Sequence, residues 1–266
     1  IERNCQSGRS LFQGLTKSRM IEIRQLSKKY KDADRYSVRN LNLTIYEKEI
    51  FGILGPNGAG KTTLISMLSS LLKPTSGSFT IDGLSYQNEM KQLKQIIGIV
   101  PQEYALYPSL TAFENLKYFG SMYGLKGSAL HSKIEEHLEI LGLGAFANKK
   151  VHTFSGGMKR RVNLIAGILH RPKVLFLDEP TVGVDVQSKN AIINYLKELN
   201  QKGTTILYTS HHLNEAENFC SHIAIIDLGE IICKGEPKTL IKEHKEAENL
   251  EEVFLARTGK ALRDYA

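Results

Sequence analysis

The sequence predicts an α/β fold built on a mostly parallel sheet with helices on both faces. Three observations carry that prediction. Short, continuous apolar runs recur along the chain, as strands buried on both faces do. Amphipathic patterns at helical spacing separate most of them. One run ends at a glycine-rich turn that opens a helix. The chain has 266 residues and is 41% hydrophobic, enough to bury a sizeable core as one large or two small domains.

Residues 1–19 are polar and lack the apolar core of a secretory signal, and patterned sequence begins at Met20. They are expected to be either a flexible native extension or sequence from upstream of the true start. Ile21 and Ile23, then Leu41, Leu43 and Ile45, alternate with polar residues and predict half-buried antiparallel strands. Ile50–Leu54 is the first fully apolar run, and Leu64, Met67, Leu68 and Leu71 follow it at helical spacing. Buried strands are predicted at Ile97–Val100, Val174–Leu177, Ile206–Tyr208 and Ile223–Ile226. Helices are read from Val162, Ile165, Ala166 and Leu169, and from Ile192, Tyr195, Leu196 and Leu199. Residues 105–159 break the alternation with two successive helical patterns, Phe113–Tyr123 and then Leu130, Ile134, Leu138 and Leu141. This predicts a helical insertion into a core of residues 20–234. Residues 235–266 are expected to form a short, charged, helical tail.

Composition excludes several classes. No stretch approaches the length of a membrane-spanning helix. Three cysteines, Cys5, Cys220 and Cys233, form no CxxC pair, which argues against a disulfide framework or zinc site and for a reducing, cytosolic compartment. The formal charge is +7, of which residues 1–19 contribute +3 through Arg3, Arg9, Lys17 and Arg19 against Glu2. The remainder reads as an ordinary solvated surface, and no nucleic-acid partner is expected. The run Lys159-Arg160-Arg161 is likewise read as a solvated or coupling surface.

The turn after Ile50–Leu54 reads Gly55-Pro56-Asn57-Gly58-Ala59-Gly60-Lys61-Thr62-Thr63 and fits the phosphate-binding pattern GxxxxGK[ST]. Glycines let the backbone approach phosphates, and the N–H groups and helix N-terminus supply positive dipoles. Lys61 is expected to neutralise the β- and γ-phosphates, and the Thr62 hydroxyl to ligate Mg²⁺. Val174–Glu179 places Asp178 at the carboxyl end of a buried strand, where a carboxylate would hold Mg²⁺. Glu179 follows as a group able to polarise an attacking water. Phe154-Ser155-Gly156-Gly157-Met158 opens the next helix, with Gly157 lying 21 residues before Asp178. Ser155 can cap that helix, and the glycines leave N–H groups open to a second anion.

In this order and spacing, GPNGAGKTT, FSGGM and FLDEP resemble the nucleotide-binding domain of ATP-binding cassette (ABC) transporters over essentially all of residues 20–234. The resemblance implies a RecA-like P-loop NTPase core with an N-terminal antiparallel β subdomain and the inserted helical subdomain. It implies ATP and Mg²⁺, and roles for further residues. Tyr30 matches the aromatic that stacks on adenine, with Tyr36 the weaker candidate. Gln102 matches the glutamine that reaches Mg²⁺ and the attacking water. Asp185 matches the aspartate that crosses to a second subunit, and His211 the switch histidine at the γ-phosphate, its neighbour His212 carrying no assigned role. Phe154 and Met158 depart from the usual Leu and Gln of the signature. Catalysis is thus assigned to Glu179, His211 and Gln102, and metal binding to Thr62, Gln102 and Asp178. Nucleotide contacts are assigned to Tyr30, residues 55–63, Ser155, Gly156, Gly157 and Asp185.

Residues 110–125 and 250–264 resemble the ATPase subunits of bacterial ABC-2-type exporters. The implied protein hydrolyses ATP in a head-to-tail dimer with a copy or homologue of itself. It would drive a separate transmembrane permease from the cytoplasmic face of the membrane. The other reading left open is a soluble ABC ATPase acting on nucleic acid or ribosomes. The zinc motifs, long coiled coils or paired cassettes usual in that group are not seen in this sequence.

Overall fold

A computed structural model describes residues 18–244 and 247–258. The reading of 1–19 as a leader therefore falls almost wholly outside the described residues, and β1 already begins at Arg19. Two sheets form the core. The first is antiparallel: β1 (Arg19–Lys29) lies between β2 (Tyr36–Tyr46) and β4 (Ser76–Ile81), and β4 also pairs with the short β5 (Leu84–Ser85). Ile21 pairs with Ile45 on one side and Ile81 on the other, so the alternating apolar residues share one covered face.

The second sheet holds six strands in the order β10-β9-β3-β8-β7-β6. These are β3 (Ile50–Leu54), β6 (Ile97–Val100), β7 (Val174–Asp178), β8 (Thr205–Ser210), β9 (His222–Asp227) and β10 (Glu230–Gly235). All neighbours pair in parallel except β10, which returns antiparallel along β9. The pleat sends alternate residues to opposite faces. Val174 and Phe176 join Phe51, Ile53 and Leu207 beneath the antiparallel sheet and α1 (Lys61–Leu68). Leu175 and Leu177 join Ile206, Tyr208 and Ile223 under α5 (Gly156–Ile168), α6 (Val186–Gln201) and α7 (Leu213–Phe219). Burial on both faces explains why these strands read as unbroken apolar runs.

Between β6 and β7 the chain forms α3 (Ala112–Met122) and α4 (Gly127–Ile140), the helical insertion the sequence predicts. Thr111 and Glu114 make a reciprocal capping box at the start of α3. The tail supplies α8 (Pro237–Glu243) and α9 (Leu250–Thr258), with Val253 and Phe254 buried. One residue departs from its expected place. Leu71 is 72% exposed, because α1 ends at Leu68 and the chain turns through Ser70 at φ 60°.

Candidate functional site

The carboxyl ends of β3, β8 and β7 lie side by side. Leu54 pairs with Ser210, and Asp178 with Thr209. That register brings residues more than 120 positions apart in the sequence to one edge of the sheet. From β3 the chain enters the loop 55–60, and Gly60 sits at φ 107° with an added Cβ only 2.2 Å from the Ser37 carbonyl. Only glycine meets both conditions. The helix that follows, α1, has no side-chain cap, so its first N–H groups are not taken by a side chain.

Glu179 is the centre of the cluster. It is buried, and its backbone adopts a left-handed φ of 48°, uncommon for a residue with a side chain. Its Oε1 lies 3.3 Å from Lys61 Nζ and 3.1 Å from His211 Nδ1, and its Oε2 lies 3.4 Å from Gln102 Nε2. Lys61 also donates to the carbonyls of Gly55 and Pro56, at 2.9 and 3.1 Å. Three sequence-predicted residues from three segments thus converge within hydrogen-bonding or ion-pair reach of the carboxylate of a fourth, Glu179.

Asp178 is buried beside them. Its Oδ1 accepts from the Thr209 hydroxyl at 2.6 Å, and among the described residues no cation is paired with it. A buried carboxylate without a cation, next in the chain to the Glu179 that Gln102 reaches, suits Mg²⁺. That ion takes one or two protein oxygens and completes its shell with phosphate and water. The donor set therefore fits the expected metal. Thr209, which the sequence reading did not single out, also donates toward the Leu177 carbonyl and accepts from the Glu179 amide at 3.1 Å. It holds the Asp178 carboxylate and the Glu179 backbone at once. A hydroxyl residue at the carboxyl end of a fully buried strand, two positions before His211, was the available signal.

Tyr30 lies with its hydroxyl 3.4 Å from the Thr63 hydroxyl, so its 44% exposed ring stands beside the start of α1. Tyr36 is similarly exposed, with Lys29 Nζ 5.9 Å from its ring centre. His212 stacks obliquely on His211 at 4.0 Å, and burial, then the neighbouring His211, holds its pKa below the ordinary histidine value.

The signature residues form a second group. Ser155 caps α5, accepting from the Met158 amide. Asp185 caps α6, accepting from the Ser188 amide at 2.9 Å, and that hydrogen bond, with the Ser188 side chain, lowers its pKa. A Cβ added to Gly157 would lie 2.4 Å from Ser188 Oγ and 2.6 Å from Asp185 Oδ2, so the two caps press against each other. Among the described residues, the side-chain hydrogen bonds of Ser155 and Asp185 run to neighbours on their own helices and none to the phosphate loop.

Of the two readings of 159–161, a solvated or a coupling surface, Arg160 departs from the solvated one. It is 3% exposed and donates to the carbonyls of Pro101 at 2.9 Å and Gln102 at 2.8 Å, its guanidinium lying 4.8 Å from the Tyr104 ring centre. The Tyr104 hydroxyl in turn donates to the Gly156 carbonyl at 3.2 Å. Arg160 therefore ties the signature helix to the backbone of Gln102, and through it to Glu179. Arg161 is half-buried as well, donating to the Leu141 carbonyl at 2.7 Å.

Comparison with known proteins agrees with this geometry. Residues 38–182 match the ABC transporter family. The linearmycin resistance ATP-binding protein of Bacillus subtilis is 47% identical over 216 residues, which span 81% of this chain and 69% of that protein. A Nod factor export ATP-binding protein of Cupriavidus pinatubonensis is 38% identical over 222 residues, covering 84% and 68%. A dimeric ATP-binding cassette in a post-hydrolysis state bound to ADP and Pi superposes with a TM-score of 0.75 at 30% identity, over 82% of this chain and 98% of that one.

Proposed function

Since the chain belongs to the ABC transporter family, we propose that it is the ATP-hydrolysing subunit of an exporter, working as a head-to-tail pair on a separate membrane-spanning permease. The observation that carries this reading is the convergence of Lys61, Gln102 and His211 on Glu179, with the Ser155–Gly157 surface standing as a second group. A nucleotide held by the loop of one copy would be completed by Ser155 and Gly157 of the other.

In that arrangement the N–H groups of 55–60 and of the first turn of α1 wrap the phosphates, and Tyr30 offers its ring to adenine. Lys61 turns from the Gly55 and Pro56 carbonyls and from Glu179 toward the β- and γ-phosphates. Thr62, Asp178 and Gln102 would hold Mg²⁺, which neutralises charge on the transferring phosphoryl group when bound. Glu179, relieved of Lys61, accepts hydrogen-bonding from the attacking water and polarises it. His211, within reach of that carboxylate, orients the water and meets the γ-phosphate. Asp185 engages the second copy. Catalysis of this kind is mainly positioning and electrostatic stabilisation.

Because each ATP bridges two chains, binding and closure are thermodynamically linked. A groove of about 430 Å³ beside Gln102, lined by Lys94, Gln95, Pro101, Phe119, Met122 and Tyr123, supports docking of the permease there. Closure would reach it through the Arg160 tie. None of the described helices is long and apolar enough to cross a membrane; the permease it would bind is what would hold the chain at the cytoplasmic face.

Partner capture tests the reading. The tagged chain is expected to co-purify from gently solubilised membranes with a stoichiometric protein of several membrane spans. Recovery with ribosomes or DNA-bound proteins, and absence from membranes, would overturn the exporter assignment.

A further inference from the structure

A buried carboxylate that the mechanism above does not use lies behind the switch segment. Glu215 is on α7, four residues after His211, and its side chain is 8% exposed. Its Oε1 accepts from the Tyr208 hydroxyl at 2.6 Å and from the Thr181 hydroxyl at 2.8 Å, and its Oε2 is ion-paired with the Lys189 ammonium.

Each donor sits close in the chain to a different site residue. Thr181 follows Glu179 by two positions, and Tyr208 directly precedes Thr209, which holds Asp178 and the Glu179 amide. Lys189 lies one turn into α6 from its cap, Asp185, and its amide donates to the Asp185 carbonyl at 2.9 Å. Burial alone acts to raise the pKa of Glu215. The donors Lys189, Tyr208 and Thr181 outweigh it, so the net shift is downward and the carboxylate is charged at neutral pH. With Oε1 held by two hydroxyls and Oε2 by the Lys189 ion pair alone, a partial break would strand a buried charge, so the members move as a unit.

We propose that Glu215 is a positioning residue that joins the Asp185 segment to the His211–Glu179 contact, so that engagement of a second copy at Asp185 is felt where the water is polarised. The inference rests on the ATPase reading above. Lys189 is the movable member: its side chain is 38% exposed, while the other three groups are buried or nearly so. A shift of the α6 N-terminus would pull on Glu215 through that ion pair and, along α7 and β8, on His211.

A hub that only holds the fold together makes a different forecast, and conservative substitutions separate the two. Glu215→Gln keeps the shape and leaves an amide oxygen to accept from Tyr208 and Thr181, but removes the ion pair. Lys189→Met removes the same pair from its exposed side, and Lys189→Arg keeps it. Turnover and KM for ATP are measured on the full chain with its captured partner, alongside melting temperature. Glu215→Gln and Lys189→Met are each expected to lower kcat about 10-fold while KM changes less than about 2-fold. The double variant should lose no more than either single one, and Lys189→Arg should retain most of the activity.

Losses that multiply in the double variant would overturn the proposal. So would a wild-type kcat in Lys189→Met, or effects confined to melting temperature. If Glu215→Gln fails to fold, the Lys189→Met and Lys189→Arg pair decides alone. A wild-type chain without ATP turnover would instead overturn the ATPase reading and this proposal with it, whereas active wild type with flat variants removes this proposal alone.

Discussion

Replacing Arg160 by methionine preserves much of its volume and removes both of its hydrogen bonds to the Gln102 segment. Charge-assisted hydrogen bonds contribute about 1.5–3 kcal/mol each. The full sum does not apply here. The Pro101 carbonyl also accepts from Asn163 Nδ2 at 3.3 Å, and Gln102 is exposed, so water can replace part of what is lost. Loss of the guanidinium–Tyr104 contact adds about 1 kcal/mol. Relief of the buried Arg160 Nε, which has no hydrogen-bond partner, subtracts from the total. A net destabilisation of about 2–3 kcal/mol remains, corresponding to a melting temperature about 5–10 °C lower for a chain of this size. The freed segment no longer holds Gln102 Nε2 within 3.4 Å of Glu179. Misplacement on the scale of an ångström lowers turnover about 10- to 100-fold, with a smaller change in KM. Calorimetric melting and steady-state phosphate release measure the two effects. A melting temperature within about 1 °C of wild type, together with unchanged turnover, would refute the reasoning.

Two further outcomes are expected. Glu179→Gln should lower turnover ~10²–10⁴-fold while the protein still binds ATP, and undiminished turnover would remove Glu179 from its role. His170, whose Nε2 bonds the Ile97 carbonyl at 2.9 Å and whose ring stacks on Tyr123 at 3.6 Å, has its pKa lowered from 6.5 chiefly by burial, as has His137. The unfolded chain therefore takes up protons that the folded one refuses as pH falls below about 6.5, so stability is complete above that value and declines below it. Melting curves from pH 7.5 to pH 5 should show the decline, and His170→Phe should flatten part of it; parallel slopes would count against this origin.

The chemistry was legible in the sequence where it is contiguous. The loop 55–62, the run Val174–Glu179 and the Ser155 cap each carry their meaning in adjacent residues, and the structure gathers the first two around Glu179. The central strands were legible because burial on both faces leaves no polar positions to blur the run. The strands β4, β5 and β10 were not, because they are only partly buried and mix apolar with polar residues without a clean period. Helix α2 (Met90–Ile96) buries Leu93 alone, too little for a stripe. The burial of Arg160 was not legible because a run of three cations looks solvated. Its inward direction shows only in helical register, where Gly157, Arg160 and Leu164 fall on the buried side of α5.

Strand order also constrains how the molecule comes into being. The sheet runs β10-β9-β3-β8-β7-β6, so β8 fills the gap between β3 and β7 although a ribosome delivers it after both. Until Thr205–Ser210 emerges, the two strands that carry the phosphate loop and Asp178 lack the spacer that sets them two strand widths apart, about 10 Å. Their facing edges meanwhile offer unpaired backbone, a hazard for misassociation during synthesis. A nascent chain halted before Thr205 has no properly spaced nucleotide cradle. Retention on immobilised ATP would therefore report that translation has passed Ser210 and that the middle of the sheet has closed.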